Sequence, residues 1–335
     1  MEIGNFSKHT LLTGAGWSHN WGTRLAADVW QLLMDDPTVA GNEHLRAVLH
    51  DEGSFEAALA KTQAPPFTTD ERGSFERALM NAFTLMDSAM MRDYDSSTWI
   101  NISKVQELLF RFFGQRGQRI DTGYLFTLNQ DLFFERHLYN NHVSGAPAPS
   151  LPGIQPTPGL RIFATNIEKY SDQFIMRPFA GPAAMARVRG QFNIIKLHGS
   201  FNWRTPDARN VMVVGTEKTT QIASLPVLSW YFDIFKAVLA AGAVRLMIVG
   251  YGFGDEHINA AIAEAIENHG LKVLIWDRGA NLRDRIIASP DGSVIWKGIL
   301  GGTVTQTMLE VFPSNQQITQ EYRRIRRVFF GDEQF

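Results

Sequence analysis

Between Val244 and Asp277 the chain alternates in a way that few folds accept. Val244–Val249 is an unbroken apolar run, and GYGFGDEH follows as a loop. Ile258–Ile266 is apolar at helical spacing, and Lys272–Trp276 is a second short apolar run ending at Asp277. Strand, helix and strand in about thirty residues predict a βαβ unit with a right-handed crossover. Three earlier runs fit the same parallel sheet: His9–Thr13, Tyr124–Leu128 and Phe192–Leu197, each stopping abruptly at glycine or polar residues. In open parallel sheets ligands gather where strands end in this way.

The first two of these runs lie far apart. From about residue 23 to 118 the spacing is helical, with Leu25, Val29, Leu32 and Leu33, then Phe75, Leu79, Phe83 and Met86, then Val105, Leu108 and Leu109. A helical layer inserted between the first two strands is expected. Leu132–Tyr139 and Ser229–Ala241 read as helices. Residues 142–190 are rich in proline and glycine, an irregular connection of the length that usually serves a site or a partner. Residues 202–228 read as a polar excursion with one β-like run, VMVVG. Val294–Trp296 is read as a further strand, and EYRRIRRVFF as a short basic amphipathic helix. The division expected is a main domain over 1–300 and a helical tail over 301–335.

Composition removes several classes of chemistry. The 335 residues contain no cysteine, which excludes disulfides, a thiol nucleophile and every thiolate zinc site. Net charge is −2, so no basic field favours nonspecific binding of nucleic acid. The first ten residues lack the order of a secretory signal, and no apolar run approaches the ~18 residues of a membrane span. A cytoplasmic protein away from the membrane is expected. The nine histidines show no ligand spacing, His137 and His142 included, and no metal is expected.

Chemistry concentrates at four strand ends. Gly14 and Gly16 in GAGWS suit either a tight strand–helix turn, with Ser18 as a helix cap, or backbone approach to a phosphate. Trp17 and Trp21 can stack on a base or pack. In FTLNQDL, Asn129 and Asp131 share one face of an extended segment, although Asn129 can equally end a strand through a local turn. His198 in KLHGS is either a base or a buried hydrogen-bonding residue. Asp255 can hold ribose hydroxyls or cap the next helix. The arginines at 323, 324, 326 and 327 suit a solvated face better than a partner contact.

Taken in order, GAGWS with Gly22, TLNQDL, KLHGS and VGYGFGD resemble the sirtuin family, including sirtuin-like NAD hydrolases of bacterial anti-phage defence. Gly14, Ala15, Gly16, Trp17, Ser18 and Gly22 reproduce that family's first loop. Thr127, Asn129 and Asp131 meet its Thr-Gln-Asn-x-Asp strand end, with Leu128 where glutamine is usual. His198 and Gly199 meet the catalytic His-Gly, and Gly250, Tyr251 and Asp255 the loop near the ribose. Two departures count against acyl-lysine recognition: the four-cysteine zinc module is absent, and TRLAADVW replaces the usual segment after Gly22.

The resemblance implies an α/β, Rossmann-like parallel sheet with the helical insertion and no zinc module. It implies NAD as substrate, with Asn129 and His198 catalytic and the other residues named holding the dinucleotide. Cleavage would give nicotinamide and ADP-ribose, depleting NAD during phage infection. The resembling proteins work as oligomers or with a partner such as a HerA-type ATPase or a short Argonaute, which is the expectation here. The rival expectations are a non-catalytic NAD or ADP-ribose sensor and a protein ADP-ribosyltransferase.

Overall fold

The computed structural model describes residues 3–92, 102–113, 122–137, 149–155, 177–178, 190, 192–215, 217–313, 315 and 317–332. Its centre is one parallel sheet. Strands β1 (His9–Thr13), β2 (Gly123–Thr127), β3 (Pro149–Ser150), β6 (Phe192–Lys196), β9 (Arg245–Val249) and β10 (Lys272–Trp276) lie in the order β10-β9-β1-β2-β6-β3. Five are full strands, and β3 adds a two-residue edge. Every pairing is parallel. β2 and β6 are buried throughout, and β1, β9 and β10 at all but their first residue. Near-continuous burial is what a parallel sheet covered on both faces demands. It explains why these strands read as unbroken apolar runs rather than alternating ones.

Register decides where the loops fall. Thr13 pairs with Thr127 and Val249, Thr127 with Lys196, and Val249 with Trp276. All five strands therefore end in one row. Apart from the short edge strand β3, the strands run outward in sequence order in both directions from β1, so β1 and β9 flank the point where the winding reverses, the usual ligand crevice of such sheets.

Between β1 and β2 come α1 (Ala15–His19), α2 (Ala26–Asp35), α3 (Pro37–Ala40), α4 (Glu43–Glu52), α5 (Phe55–Thr62), α6 (Thr69–Arg92) and α7 (Ile102–Phe110). Leu33, Leu45, Leu49 and Phe75 anchor a second apolar cluster, separate from the sheet's own core. Phe201 and Val214 join it from a hairpin, and Phe83 stacks on Phe201 at 5.6 Å. After β2 come α8 (Phe133–His137), β4 (Ile154–Gln155), β5 (Arg177–Pro178), β7 (Gly199–Arg204) and β8 (Asn210–Met212). The later helices are α9 (Lys218–Ser224), α10 (Pro226–Leu239), α11 (Glu256–His269), α12 (Leu282–Ala288), α13 (Gly292–Lys297), α14 (Met308–Val311) and α15 (Gln320–Ile325), with a π turn at Arg326–Phe330. Among the described residues no single helix is long and apolar enough to cross a membrane.

Three expectations need correction. The GAGWS segment is not an open loop, because the helix α1 begins at Ala15. Residues 199–212 form an antiparallel hairpin, of which the polar excursion expected over 202–228 caught only the β-like run that overlaps β8. Ser200, Asn202 and Arg204 are buried there, and Arg204 spends its guanidinium on the carbonyls of Phe201 and Trp203. Val294–Trp296 is helical, not a strand. A run of three apolar residues cannot separate the two periods. The edge of β10 is instead bridged at Val273–Ile299 and Trp276–Val304. The tail arginines are partly engaged: Arg324 pairs with Glu321 and donates to the carbonyls of Gly301 and Thr303, and Arg326 pairs with Asp332. Most of the connection expected over 142–190, and His142, fall outside the described residues.

Candidate active site

The glycine loops of β1 and β9 lock together at the reversal point. Gly14 N–H donates to the Val249 carbonyl and Gly16 N–H to the Gly250 carbonyl, each at 3.0 Å. A Cβ on Gly14 would lie 2.6 Å from the Gly250 oxygen, and one on Gly16 2.7 Å from Gly250 Cα. Gly250 has φ +62°, and its own Cβ would meet Gly16 C and Trp17 N at 2.4 Å. Glycine is needed here for close backbone approach. A cavity of about 810 Å³ opens above this junction, within the ~300–1,000 Å³ usual for ligand pockets.

Gly14, Ala15, Gly16, Asn129, Asp131 and His198 line it, as do Gly250, Tyr251 and Asp255. Asn129 Nδ2 donates to the Gly14 carbonyl and to Ser18 Oγ, both at 3.0 Å, while its Oδ1 has no partner among the described residues. Ser18, buried behind the cavity wall, also hydrogen-bonds Asp131. Asp131 Oδ1 accepts the Phe133 N–H and so caps α8. Burial pushes the Asp131 carboxyl up, against the pull of the Lys196 cation. Thr23 presents a buried Oγ1 with no partner among the described residues, on the cavity wall.

His198 is placed by Gly199, whose φ is +69° and whose Cβ would fall 2.0 Å from the Val211 carbonyl oxygen. Burial pushes the His198 pKa down to about 3, helped by Lys218 and His257 and opposed by Asp255. The imidazole is neutral at ordinary pH. Asp255 stands at the start of α11 without capping it through its side chain. Its carboxylate pairs instead with Lys218 at 2.8 Å, and Lys218 also reaches Glu56 of the insertion at 3.0 Å. Burial works against the charge of Asp255, yet His198 and Lys218 hold its pKa below the usual range. Glu56 is pushed up by burial, which outweighs the same lysine; the shorter contact goes to Asp255.

Five of the residues expected to hold a ligand do something else. Trp17 is buried in an aromatic cluster with Trp21, Phe133 and Phe134, at centroid distances of 5.3, 5.8 and 5.7 Å, so it packs rather than stacks on a base. Thr127 Oγ1 accepts the Asn129 N–H inside the sheet edge. Gly22 and Gly199 shape the backbone behind the wall. The Tyr251 hydroxyl is spent on Asn259 and the backbone of Asp255, so only the rest of the residue reaches the cavity.

Residues 124–286 match the family model of the SIR2-like domain. The chain carries a SIR2-like domain. No curated protein matches the chain. The matched span runs from β2 into α12 and excludes β1, yet β1 sits between β2 and β9 and completes the sheet. A SIR2-like domain implies NAD binding and suggests NAD-dependent enzymatic activity in general. The cavity fits such a ligand in volume, and Thr23 Oγ1 is an unused hydroxyl on its wall among the described residues. Among the described residues no group of three or more histidine or acidic side chains is arranged for a metal ion.

The sequence reading missed Lys218, Glu56, His257 and Lys196. Lys218 and Glu56 carry no motif and meet only through the fold. His257 follows Asp255 by two residues, and that spacing was the one available signal.

Proposed function

We propose that this chain hydrolyses NAD to nicotinamide and ADP-ribose. The observation that carries the reading is the convergence of Asn129 and His198 on one cavity at the reversal point of the sheet. Nicotinamide leaves as a neutral molecule from a cationic ring, so its departure needs no general acid. What the site must supply is orientation, negative charge near the developing ribosyl cation, and a base. Asn129 Oδ1 is available to position the ribose or the water. Asp131 and the Glu56–Lys218–Asp255 group, one net negative charge when fully ionised, favour positive charge on the ribose. His198 takes the proton of the attacking water.

In a cell this activity depletes NAD. We assign the chain to anti-phage defence as a cytoplasmic, oligomeric effector controlled by a partner such as a HerA-type ATPase or a short Argonaute. The support is the resemblance of the four strand-end motifs to such proteins. A second reading has its own observation: His198 Nε2 is already engaged by His257, which suits a sensor of NAD or ADP-ribose without turnover. The test is incubation with NAD, alone and with candidate partners, beside Asn129→Ala and His198→Ala. Nicotinamide release lost in both variants supports hydrolysis. Tight NAD binding with no consumption favours the sensor, and label from NAD on protein favours ADP-ribosyl transfer.

A further inference from the structure

His198 meets a second histidine that no step above uses. The two Nε2 atoms are 3.3 Å apart, with ring centroids separated by 5.4 Å and planes inclined at 42°. His257 lies in the first turn of α11, against Phe232 of α10 at 5.6 Å. It is half-buried and outside the cavity lining, whereas His198 is only 2% exposed and forms part of that lining. His198 thus has the cavity on one side and a more accessible imidazole on the other.

Hydrolysis of NAD liberates a proton. The bond from ribose C1 to the pyridine nitrogen breaks with both electrons passing to nicotinamide. The water oxygen bonds to C1, one of its hydrogens stays as the new hydroxyl, and the other leaves as H⁺. A base as deeply buried and as weak as His198 cannot keep that proton. Asp255 and Lys218 face the pair, Glu56 reaches Lys218 from α5, and the Leu128 carbonyl accepts a hydrogen bond from the His198 ring. Among the described residues the charged groups facing both rings are thus an ionised carboxylate and its lysine, and the carboxylate favours a cationic imidazole.

We propose that His257 is the proton outlet of His198: the proton taken from water on His198 Nε2 passes to His257 Nε2 and from there to solvent. For this transfer His257 Nε2 must be the unprotonated nitrogen of its ring, with the His257 proton on Nδ1, while the His198 Nδ1–H stays on the Leu128 carbonyl. His257 touches no substrate and acts through His198, as a positioning residue. This rests on the NAD-hydrolase reading.

The test combines ring NMR of the whole chain with nicotinamide release. In the native protein the two imidazoles titrate as a coupled pair, and in His257→Phe the His198 ring gives a simple curve. In His257→Ala kcat falls roughly tenfold with KM unchanged, the scale of one lost hydrogen-bonded partner, and free imidazole restores it; His257→Phe leaves no room for rescue. Independent titration of the two rings overturns the proposal whatever the activity. So does a His257→Ala enzyme with native kcat, or one that imidazole does not restore. If the native chain, with its partners, releases no nicotinamide, the hydrolase reading fails and the outlet fails with it. If only the outlet proposal fails, the native chain still releases nicotinamide.

Discussion

Removing Lys196 should loosen the site more than any change on its surface. Lys196 Nζ is buried beneath the cavity, 2.8 Å from Glu135 Oε1, with the two side chains 1% and 3% exposed. It also donates to Ser200 Oγ at 2.9 Å and to the Asp131 carbonyl, and Ser200 Oγ donates to the Gln130 carbonyl. One ammonium therefore ties the His198 segment to the Asn129 segment. Lys196→Met leaves Glu135 buried without its cation, and Glu135 Oε2 already has no partner among the described residues. Breaking a buried pair from one side costs ~3–5 kcal/mol. At ~2.1 cal/mol/K of unfolding entropy per residue, a chain of 335 residues loses about 4–7 °C in Tm.

The penalty also depends on pH. Burial raises the Glu135 and Asp131 carboxyls while Lys196 pulls both down. A carboxyl with a raised folded pKa contributes stability below its unfolded value, about 4, and loses it as pH rises through the folded value. Without Lys196 the folded values climb further, so the variant's deficit is smallest near pH 4 and grows towards pH 8. Thermal unfolding at several pH values measures it. The double variant Lys196→Met/Glu135→Leu should recover most of the loss, because no charge is then stranded. A single variant within ~1 kcal/mol of native at pH 8, or a double variant less stable than the single, refutes the reasoning.

Lys218→Met removes a cation that lowers the His198 pKa and unmasks Asp255, which raises it; both effects act upward. The acid limb of nicotinamide release, where His198 loses its free base form, therefore moves to higher pH, and a pH–rate profile showing no shift or a downward one contradicts this. Gly250→Ala forces a side chain into the left-handed region at ~1–2 kcal/mol and against the first loop. Its Tm and NAD affinity by calorimetry should both fall. Gly252→Ala, where a Cβ meets nothing within 4 Å, should unfold with the native chain.

The parallel sheet was legible because its strands are buried on both faces, so Arg245–Val249 and Lys272–Trp276 stand out as apolar runs bounded by glycine or aspartate. The strand ends were legible for the same reason, since polar residues interrupt those runs at a shared register. Partners across the cavity were not. His198 and His257 are 59 positions apart, and Lys218 and Glu56 are separated by 162. The first contact exists only once the sheet brings its strand ends together, and the second only once the insertion packs on it. The hairpin of β7 and β8 was hidden because Ser200, Asn202 and Arg204 are polar yet buried. Trp17 was ambiguous because packing in an aromatic cluster and stacking on a base call for the same side chain.

The central claim is that water, at this cavity, replaces nicotinamide on the ribose of NAD. The most direct measurement is NAD turnover in heavy-oxygen water, with nicotinamide and ADP-ribose quantified and the ADP-ribose examined for label. Equimolar products with heavy oxygen on the ribose, absent in Asn129→Ala, are the predicted result. Nicotinamide without free ADP-ribose, or NAD bound and left intact in the presence of the partner, would contradict the claim.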